Sequence, residues 1–497
     1  MRRKVPIIDL LAVLPERVLR GPIPDRVDGL TDDSRKVEIG DCFVAVRGLR
    51  ADGHRFIPQA VERGAVAVVA EGPDPLPGRM VGRVLVPDTR RALGPLASAY
   101  WGHPSLALTV VGITGTNGET TTSYLVEALL RARGLPTGVV GTIQHLIRGT
   151  GRPAGQTTPE AIELQALLAE MVAAGVKGVA MEVSSHALEL HRVDGVAFDV
   201  AVFTNLTQDH LDLHGTMERY RAAKARLFEL LEAGGKPDPV AVLNADDPVG
   251  AAWARTLRGR VLTFGLGPGA TIRAVRHTSD LGGIALEAET PAGPLALRSP
   301  LIGEHNVMNL LGAAAVGVAL DLPPAEIARA LGGVTAVPGR FERVDAGQEF
   351  LVVVDYAHTP DALRRVLETA RPLTRGRLGV VFGCGGDRDR GKRPIMGRLA
   401  AELADRVWVT SDNPRSEPPE AIIEEIVQGI VAPPAQGYTR KPERYDAIRD
   451  ALGWARPGDT VVIAGKGHET YQLIAGRSLP FDDRAVAREI LALRMRG

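Results

Sequence analysis

Apolar runs of strand length recur along the chain, and most end in a polar or glycine-rich stretch. "ALTVVGITG", "GVAMEVSS" and "FDVAVFTNL" are nearly continuous apolar segments, with helical periods such as "AIELQALLAEMVAAG" between them. Unbroken apolar strands alternating with amphipathic helices predict a parallel sheet covered on both faces. Before this block, residues 28–104 read as short strands ("DCFVAVRG", "AVAVVAE") with one helix, "RFIPQAVERG", closed by glycine. "GHPS" at 102–105 is turn-like and marks a boundary. A Gly/Pro-rich, β-like stretch covers about 259–300, and "VTAVPGRFERV" at 334–344 reads as a linker. Beyond it, "EFLVVVDYAH", "RLGVVFGCGG", "DRVWVTSDN" and "DTVVIAGKG" form four strand-plus-loop units with helices between them. Ligands of open α/β sheets bind outside the carboxyl ends of the strands, so these loops are where chemistry is expected.

The pattern therefore predicts an α/β protein of three domains: residues 1–105, 106–336 and 337–497. A chain of 497 residues exceeds what one core accommodates. Lys+Arg and Asp+Glu are both 59, giving no net charge and none of the electrostatic footprint of a nucleic-acid binder. Two distant cysteines, Cys42 and Cys384, make neither a disulfide framework nor a metal cluster and fit a reducing compartment. Pro6 and Asp9 interrupt the short apolar run after the basic start, which argues against a signal peptide. No run of about 18 apolar residues is present, so no membrane insertion is expected. The expected location is cytoplasmic.

"VVGITGTNGETTTSYLVEALL", from Val110, has the form of a phosphate-binding loop. A strand over 107–113 leads through Gly112, Gly115 and Gly118 into a helix reaching about Arg133, with Gly134 just past its end. Such glycines let backbone N–H groups and a helix N-terminus converge on one anion. Thr120 stands where a hydroxyl would ligate Mg²⁺. Two positions depart from the generic loop: Ile113 replaces a glycine, and Glu119 occupies the place of the lysine that faces phosphate. A glycine-rich strand–helix turn without a ligand is the alternative reading of this segment alone.

Seven further segments occur in order: "MEVSSHALELHRV", "FTNLTQDHLDLHG", "YRAAKARLF", "GEHNVMN", "VPGRFE", "DYAHTPDAL" and "SDNPRSEPPEAI". With "TGTNGETTT" they closely resemble the Mur ligase family, from about Thr31 to Glu469, and within it the diaminopimelate-adding members. The resemblance implies a small N-terminal UDP-sugar-binding α/β domain and a central parallel-sheet, P-loop-type ATPase domain. A C-terminal Rossmann-like domain would bind the amino acid. It implies that ATP with Mg²⁺ activates a carboxylate of UDP-N-acetylmuramoyl-L-alanyl-D-glutamate as an acyl phosphate, which the amine of meso-diaminopimelate attacks.

Residue by residue, the resemblance makes Gly115, Thr116, Asn117, Gly118, Thr120 and Thr121 nucleotide contacts. Asn306 would lie beside adenine, Arg340 at phosphate, and Asp355 and His358 near ribose. Glu182 and His210 would join Thr120 on Mg²⁺, with Lys224 as a carbamylated, carboxylate-like ligand; Lys224, Glu182, His210 and Glu119 are the catalytic set. Without the resemblance, a lysine in an amphipathic helix reads as a solvated surface residue. Ser34 would touch the uridine diphosphate, and Gln156, Thr157, Thr158, Ser184, Leu190 and Arg192 the muramoyl dipeptide. Gln156 and Leu190 stand where asparagine and glutamine are usual. Arg388, Asp412, Asn413, Pro414, Arg415, Gly465 and Glu469 would read the amino acid. Two buried guanidinium groups, of Arg388 and Arg415, are expected to hold its distal carboxylate, with Asp412 and Glu469 on its ammonium.

Three functions follow: a diaminopimelate-adding ligase, a catalytically impaired binding protein, and a lysine-adding or folylpolyglutamate-type ligase. "DNPR" argues against the third. A monomer is expected, and Glu119 is expected to make the ligase slow.

Overall fold

Strands buried on both faces build the two main sheets. The computed structural model describes residues 2–48, 51–74, 76 and 81–496. Two compact units are present: the chain up to Val275 with Ala288–Leu295 and Asn309–Leu331, and Arg276–Glu287 with Ala296–Met308 and the chain from Gly332 onward. The fold class is α/β, as the alternation of strand and helix predicts.

In the first unit the main sheet runs Thr150–Pro153, Gln144–Ile147, Thr137–Val140, Gly178–Glu182, Thr109–Thr114, Val200–Phe203, Val240–Asn244, Arg260–Gly265. From Thr137–Val140 onward neighbours pair in parallel. Thr109–Thr114 lies between Gly178–Glu182 and Val200–Phe203, with Ile113 opposite Glu182 and Thr114 opposite Phe203. The chain leaves this strand to build one side of the sheet, then crosses to build the other. That makes its carboxyl end a topological switch point, where a crevice opens. All residues of both flanking strands are buried, which is why they read as continuous apolar runs.

A smaller sheet precedes it, in the order Val18–Arg20, Gly82–Val86, Ala67–Glu71, Asp41–Val44, Gly29–Thr31. The helix expected at "RFIPQAVERG" spans Ile57–Glu62 after a short 3-10 turn. A second helix, Thr89–Tyr100, corrects the one-helix reading of residues 28–104. Pro95 within it resembles a breaker in sequence. Asp88 starts the helix, its carboxylate accepting the amides of Arg90 at 2.9 Å and Arg91 at 3.0 Å.

The second unit holds a sheet ordered Glu342–Arg343, Leu351–Asp355, Thr460–Ala464, Leu378–Phe382, Arg406–Thr410, Tyr438–Lys441. All pairs except the first are parallel. The four strands anticipated from the apolar pattern are present. Tyr438–Lys441 was not legible because an edge strand of polar, half-exposed residues carries no apolar run. Parallel strands share a direction, so the loops after Asp355, Phe382, Thr410 and Ala464 all emerge at one end of this sheet. Cys42 and Cys384 are buried and unpaired, and burial pushes both thiols up to about 12.

One buried ion pair ties two of these loops together. Arg444 and Asp483 have fully buried side chains, with Arg444 Nη2 2.7 Å from Asp483 Oδ2. The same guanidinium donates to Ser411 O at 3.3 Å and Ala464 O at 3.0 Å, pinning the carboxyl ends of two strands. Asp483→Ala leaves an uncompensated buried cation and is expected to destabilise this unit by about 3–5 kcal/mol. Arg444→Met with Asp483→Leu is expected to recover most of that loss in urea denaturation, because replacing both charges removes the penalty.

Candidate active site

The phosphate-loop segment is held from outside by the chain that follows the neighbouring strand. Thr116 N donates to Asn205 O at 2.9 Å, and Asn117 N to Asn205 Oδ1 at 3.1 Å. Thr204 Oγ1 and Asn205 Nδ2 both donate to Asn117 O, at 2.7 and 2.9 Å. Thr207 N donates to Thr116 Oγ1 at 2.9 Å. Gly115 has to be glycine, because a Cβ there would lie 1.7 Å from Thr204 Oγ1. The role of Thr204, Asn205 and Thr207 was missed in sequence, although "TNLT" follows an anticipated strand. Only strand order brings that segment beside Gly115.

The helix Glu119–Ala132 starts after Gly118, whose φ is +88°. Glu119 folds back over the helix start: Gly115 N donates to its Oε1 at 2.6 Å. A carboxylate in the first turn is favoured by the helix dipole, where a lysine would be disfavoured. Its counter-charge is Lys224, on the helix Met217–Ala233 and 1% exposed, with Nζ 3.6 Å from Glu119 Oε1. Lys224 also donates to Gly115 O and, at 3.4 Å, to Thr114 Oγ1, and lies 4.9 Å from the Tyr220 ring. The solvated-surface reading of this lysine is thereby overturned. Burial pushes the Glu119 carboxyl up to about 7; Lys224 opposes this and nearby Glu182 adds to it. Burial likewise pulls Lys224 down from the usual ammonium range, against Glu119.

Glu182, 1% exposed, ends its strand beside the loop. Its oxygens accept Thr142 N at 3.0 Å, Thr142 Oγ1 at 2.8 Å and Thr120 Oγ1 at 3.0 Å. Thr120 and Glu182 thus offer neighbouring oxygen donors of the kind a hard dication takes. The other two expected metal residues are placed differently. Lys224 faces Glu119, and His210 is exposed, at φ 52°, with its ring 4.8 Å from that of His186. Among the described residues, no group of three or more His, Cys, Asp or Glu side chains is placed to hold a metal ion.

The residues expected to hold a peptide come together beside Glu182. Thr158 Oγ1 donates to Glu182 O at 2.9 Å and accepts Ser184 N at 3.1 Å. Ser184 caps the short helix Ser185–Glu189, and Leu190, partly buried, ends it. Arg192 pairs with Glu160 at 2.7 Å, donates to Thr158 O at 3.1 Å and reaches Gln156. Thr157 Oγ1 is 3.0 Å from Thr142 Oγ1. Ser34, buried in the smaller sheet's loop, donates to Gln59 at 2.8 Å. Two residues before it, Asp32 is raised above the usual carboxylate range by burial and by Glu160, which puts this loop within electrostatic reach of the peptide-side residues.

In the second unit, Asp355 accepts Phe341 N at 2.7 Å and Ala357 N at 2.8 Å, and burial raises its carboxyl against the pull of Arg340. Arg340 stacks 5.0 Å over Tyr356, whose ring is 4.6 Å from that of His358. Asn306 is buried and donates to Ile302 O at 2.8 Å. At the adjoining strand ends, Asn413 Nδ2 donates to Glu469 Oε2 at 2.9 Å, and Asp412 packs against Gly465. A Cβ on Gly465 would lie 2.4 Å from Asp412 Oδ2, at a φ of +116°. Pro414 is buried, and Arg415 adopts φ 54° and donates from Nη1 to Gly386 O at 2.7 Å. The expectation of two buried guanidinium groups is corrected: Arg388 is exposed and Arg415 only partly buried; among the described residues neither forms an ion pair that would offset full desolvation. Lys466, fully buried among these side chains, was not singled out in sequence, although it lies inside "GKGHE".

The Mur ligase family, catalytic domain, matches residues 26–101; the Mur ligase middle domain matches 113–317; and the Mur ligase, glutamate ligase domain, matches 339–467. The chain belongs to the Mur ligase family. Members are ATP-dependent ligases that form C–N bonds. This Mur ligase is 47% identical over 492 residues to a UDP-N-acetylmuramoyl-L-alanyl-D-glutamate–2,6-diaminopimelate ligase of Geobacter metallireducens, covering 96% of each chain. The ligase of the same name from Geobacillus kaustophilus is 47% identical over 496 residues, covering 99% of this chain and all of the other. A solved structure of a ligase of that name superposes with a TM-score of 0.70 at 35% identity, over 95% and 96% of the two chains. A MurF ligase of Thermotoga maritima in complex with ADP shares the fold, with a TM-score of 0.58 at 22% identity and coverage of 94% and 98%.

The clamp on this Mur ligase's loop is directly testable. Asn205→Ala removes both an acceptor and a donor for Asn117 and is expected to cost about 1–3 kcal/mol. Amide hydrogen exchange at Thr116 and Asn117 should accelerate in the variant, with protection within the strand Val200–Phe203 unchanged.

Proposed function

We propose that this Mur ligase joins meso-diaminopimelate to UDP-N-acetylmuramoyl-L-alanyl-D-glutamate in the cytoplasm, with consumption of ATP, and that Glu119 holds its rate far below what the scaffold permits. ATP would transfer its γ-phosphoryl group to the dipeptide's free carboxylate. The amine of diaminopimelate would displace phosphate from that acyl phosphate, leaving amide, ADP and phosphate. The substrate reading is supported by full-length relatives of that name and by the assembly of Asp412, Asn413, Arg415 and Glu469 at adjacent strand ends. The three matched segments support domains over 1–105, 106–336 and 337–497.

Mg²⁺, when bound, would offset phosphate charge, and Thr120 with Glu182 are the residues suited to hold it. Thr158, Ser184 and Arg192 would orient the peptide carboxylate. Asp355, Arg340, His358 and Asn306 are proposed for the nucleotide's ribose, phosphate and base.

The observation that carries the rate reading is the hydrogen bond from Gly115 N to Glu119 Oε1. The chain's own carboxylate occupies an amide that a phosphate oxygen would use, and Lys224 is committed to neutralising it. At about 4 Å and an effective dielectric near 20, one unit-charge contact is worth roughly 4 kcal/mol, so even a fraction of it changes rate by orders of magnitude. Glu119→Lys should raise diaminopimelate-dependent ADP release at least about a hundredfold. A change below tenfold, with ordinary turnover in the unsubstituted chain, would refute this account. In the same variant Lys224 loses its carboxylate partner, and reaction with CO₂ would supply a carbamate in its place. A ¹³C-carbamate resonance should appear with labelled bicarbonate in Glu119→Lys and be lost in Glu119→Lys/Lys224→Ala.

Amino-acid choice follows from Arg415. Its half-buried guanidinium would take the distal carboxylate that lysine lacks, a charge-assisted contact worth about 1.5–3 kcal/mol. In the Glu119→Lys background, kcat/KM for diaminopimelate should exceed that for lysine by at least about tenfold, and Arg415→Ala should erase most of the difference. Equal turnover of both amino acids before that substitution would rule the assignment out.

A further inference from the structure

We propose that Lys466 is a positioning residue of the amino-acid pocket that sets its preference for a zwitterionic distal head over a bare ammonium; this rests on the pocket assignment above. The side chain is fully buried, yet it contacts groups on two separate loops. Its Nζ lies 3.0 Å from Glu469 Oε2, 3.2 Å from Asn413 Oδ1 and 3.9 Å from Asp412 Oδ1, with the Tyr471 ring 5.6 Å away. Its carbonyl accepts Glu469 N at 2.9 Å, so the turn that carries Glu469 closes on Lys466 itself.

Two consequences follow from the donor and acceptor pattern. Asn413 Oδ1 accepts both Lys466 Nζ and Leu473 N, which turns its Nδ2 towards Glu469. Glu469 Oε2 then accepts from both Asn413 and Lys466, which leaves Oε1 as the oxygen turned to an incoming ammonium. A single buried cation thereby fixes the rotamers of two side chains that read the substrate.

The third consequence is charge balance. Asp412 and Glu469 contribute two carboxylates, and Lys466 cancels one. What remains suits one substrate ammonium, with Arg415 left for a carboxylate beside it. Were Lys466 neutral, the pocket would hold two uncompensated carboxylates, and a bare ammonium would gain relative to a zwitterionic head.

The test is Lys466→Met in the Glu119→Lys background, read by steady-state ADP release. The expected result is a rise of at least about tenfold in KM for diaminopimelate, with KM for ATP within about twofold. The diaminopimelate-to-lysine ratio of kcat/KM should also fall at least about tenfold. A drop in kcat alone, with both KM values and the ratio unchanged, would mean that the lysine merely supports the fold, and would overturn the proposal. If the methionine variant does not fold, Lys466→Gln removes the charge while keeping a donor; retention of the ratio there overturns the proposal equally. Diaminopimelate-dependent turnover in the parent with no effect of Lys466 defeats this inference alone. No such turnover in the parent defeats the pocket assignment and the inference with it.

Discussion

Charge taken out of water has to be matched where it lies, and this constraint governs three places where loops meet at the ends of parallel strands. Arg444 with Asp483, Lys224 with Glu119, and Lys466 with Glu469 and Asn413 each put a cation at the carboxyl end of a parallel sheet. None of these is an isolated pair, because each cation also donates to backbone carbonyls or side chains of the loops around it. Parallel strands bring the loops to one end; the buried cations then hold them in register. Sheet topology and ion pairing thus act together on the same loops.

The same constraint explains why Glu119 is accommodated. A carboxylate at the start of a helix is well placed with respect to the dipole, can accept a free amide, and here has an ammonium partner already within reach. The loop is therefore stable in its folded form while the Gly115 amide is engaged by the loop's own side chain. On the proposed reading, the rate lost at this position would carry no cost in stability. Around it, the segment from Thr204 to Thr207 clamps Thr116 and Asn117, and Thr120 donates to Glu182.

Much of the architecture was legible because continuous apolar strands followed by polar loops carry their own signature, as in Thr109–Thr114 and Thr460–Ala464. The Tyr438–Lys441 strand carried no such signature, since an edge strand need not be apolar. Of the residues the resemblance assigns to the peptide, Gln156, Thr158, Ser184 and Arg192 contact one another. What sequence could not give was pairing across strands. The pairing of Lys224 with Glu119 and the bridging position of Lys466 depend on which elements are neighbours, whereas the fold-back of Glu119 onto Gly115 is local to its own loop. Arg388 departs in the other direction: the expectation drawn from the resemblance was a buried guanidinium, and it lies exposed.

The two native thiols have a practical consequence. Cys42 and Cys384 are buried and pushed far from the thiolate form, so at neutral pH neither presents a nucleophile to a maleimide or an iodoacetamide. A cysteine introduced at an exposed site such as Arg388 would be the one reactive sulfur on the folded chain. Fluorophores or spin labels could thus be attached singly without first stripping the protein of its own cysteines.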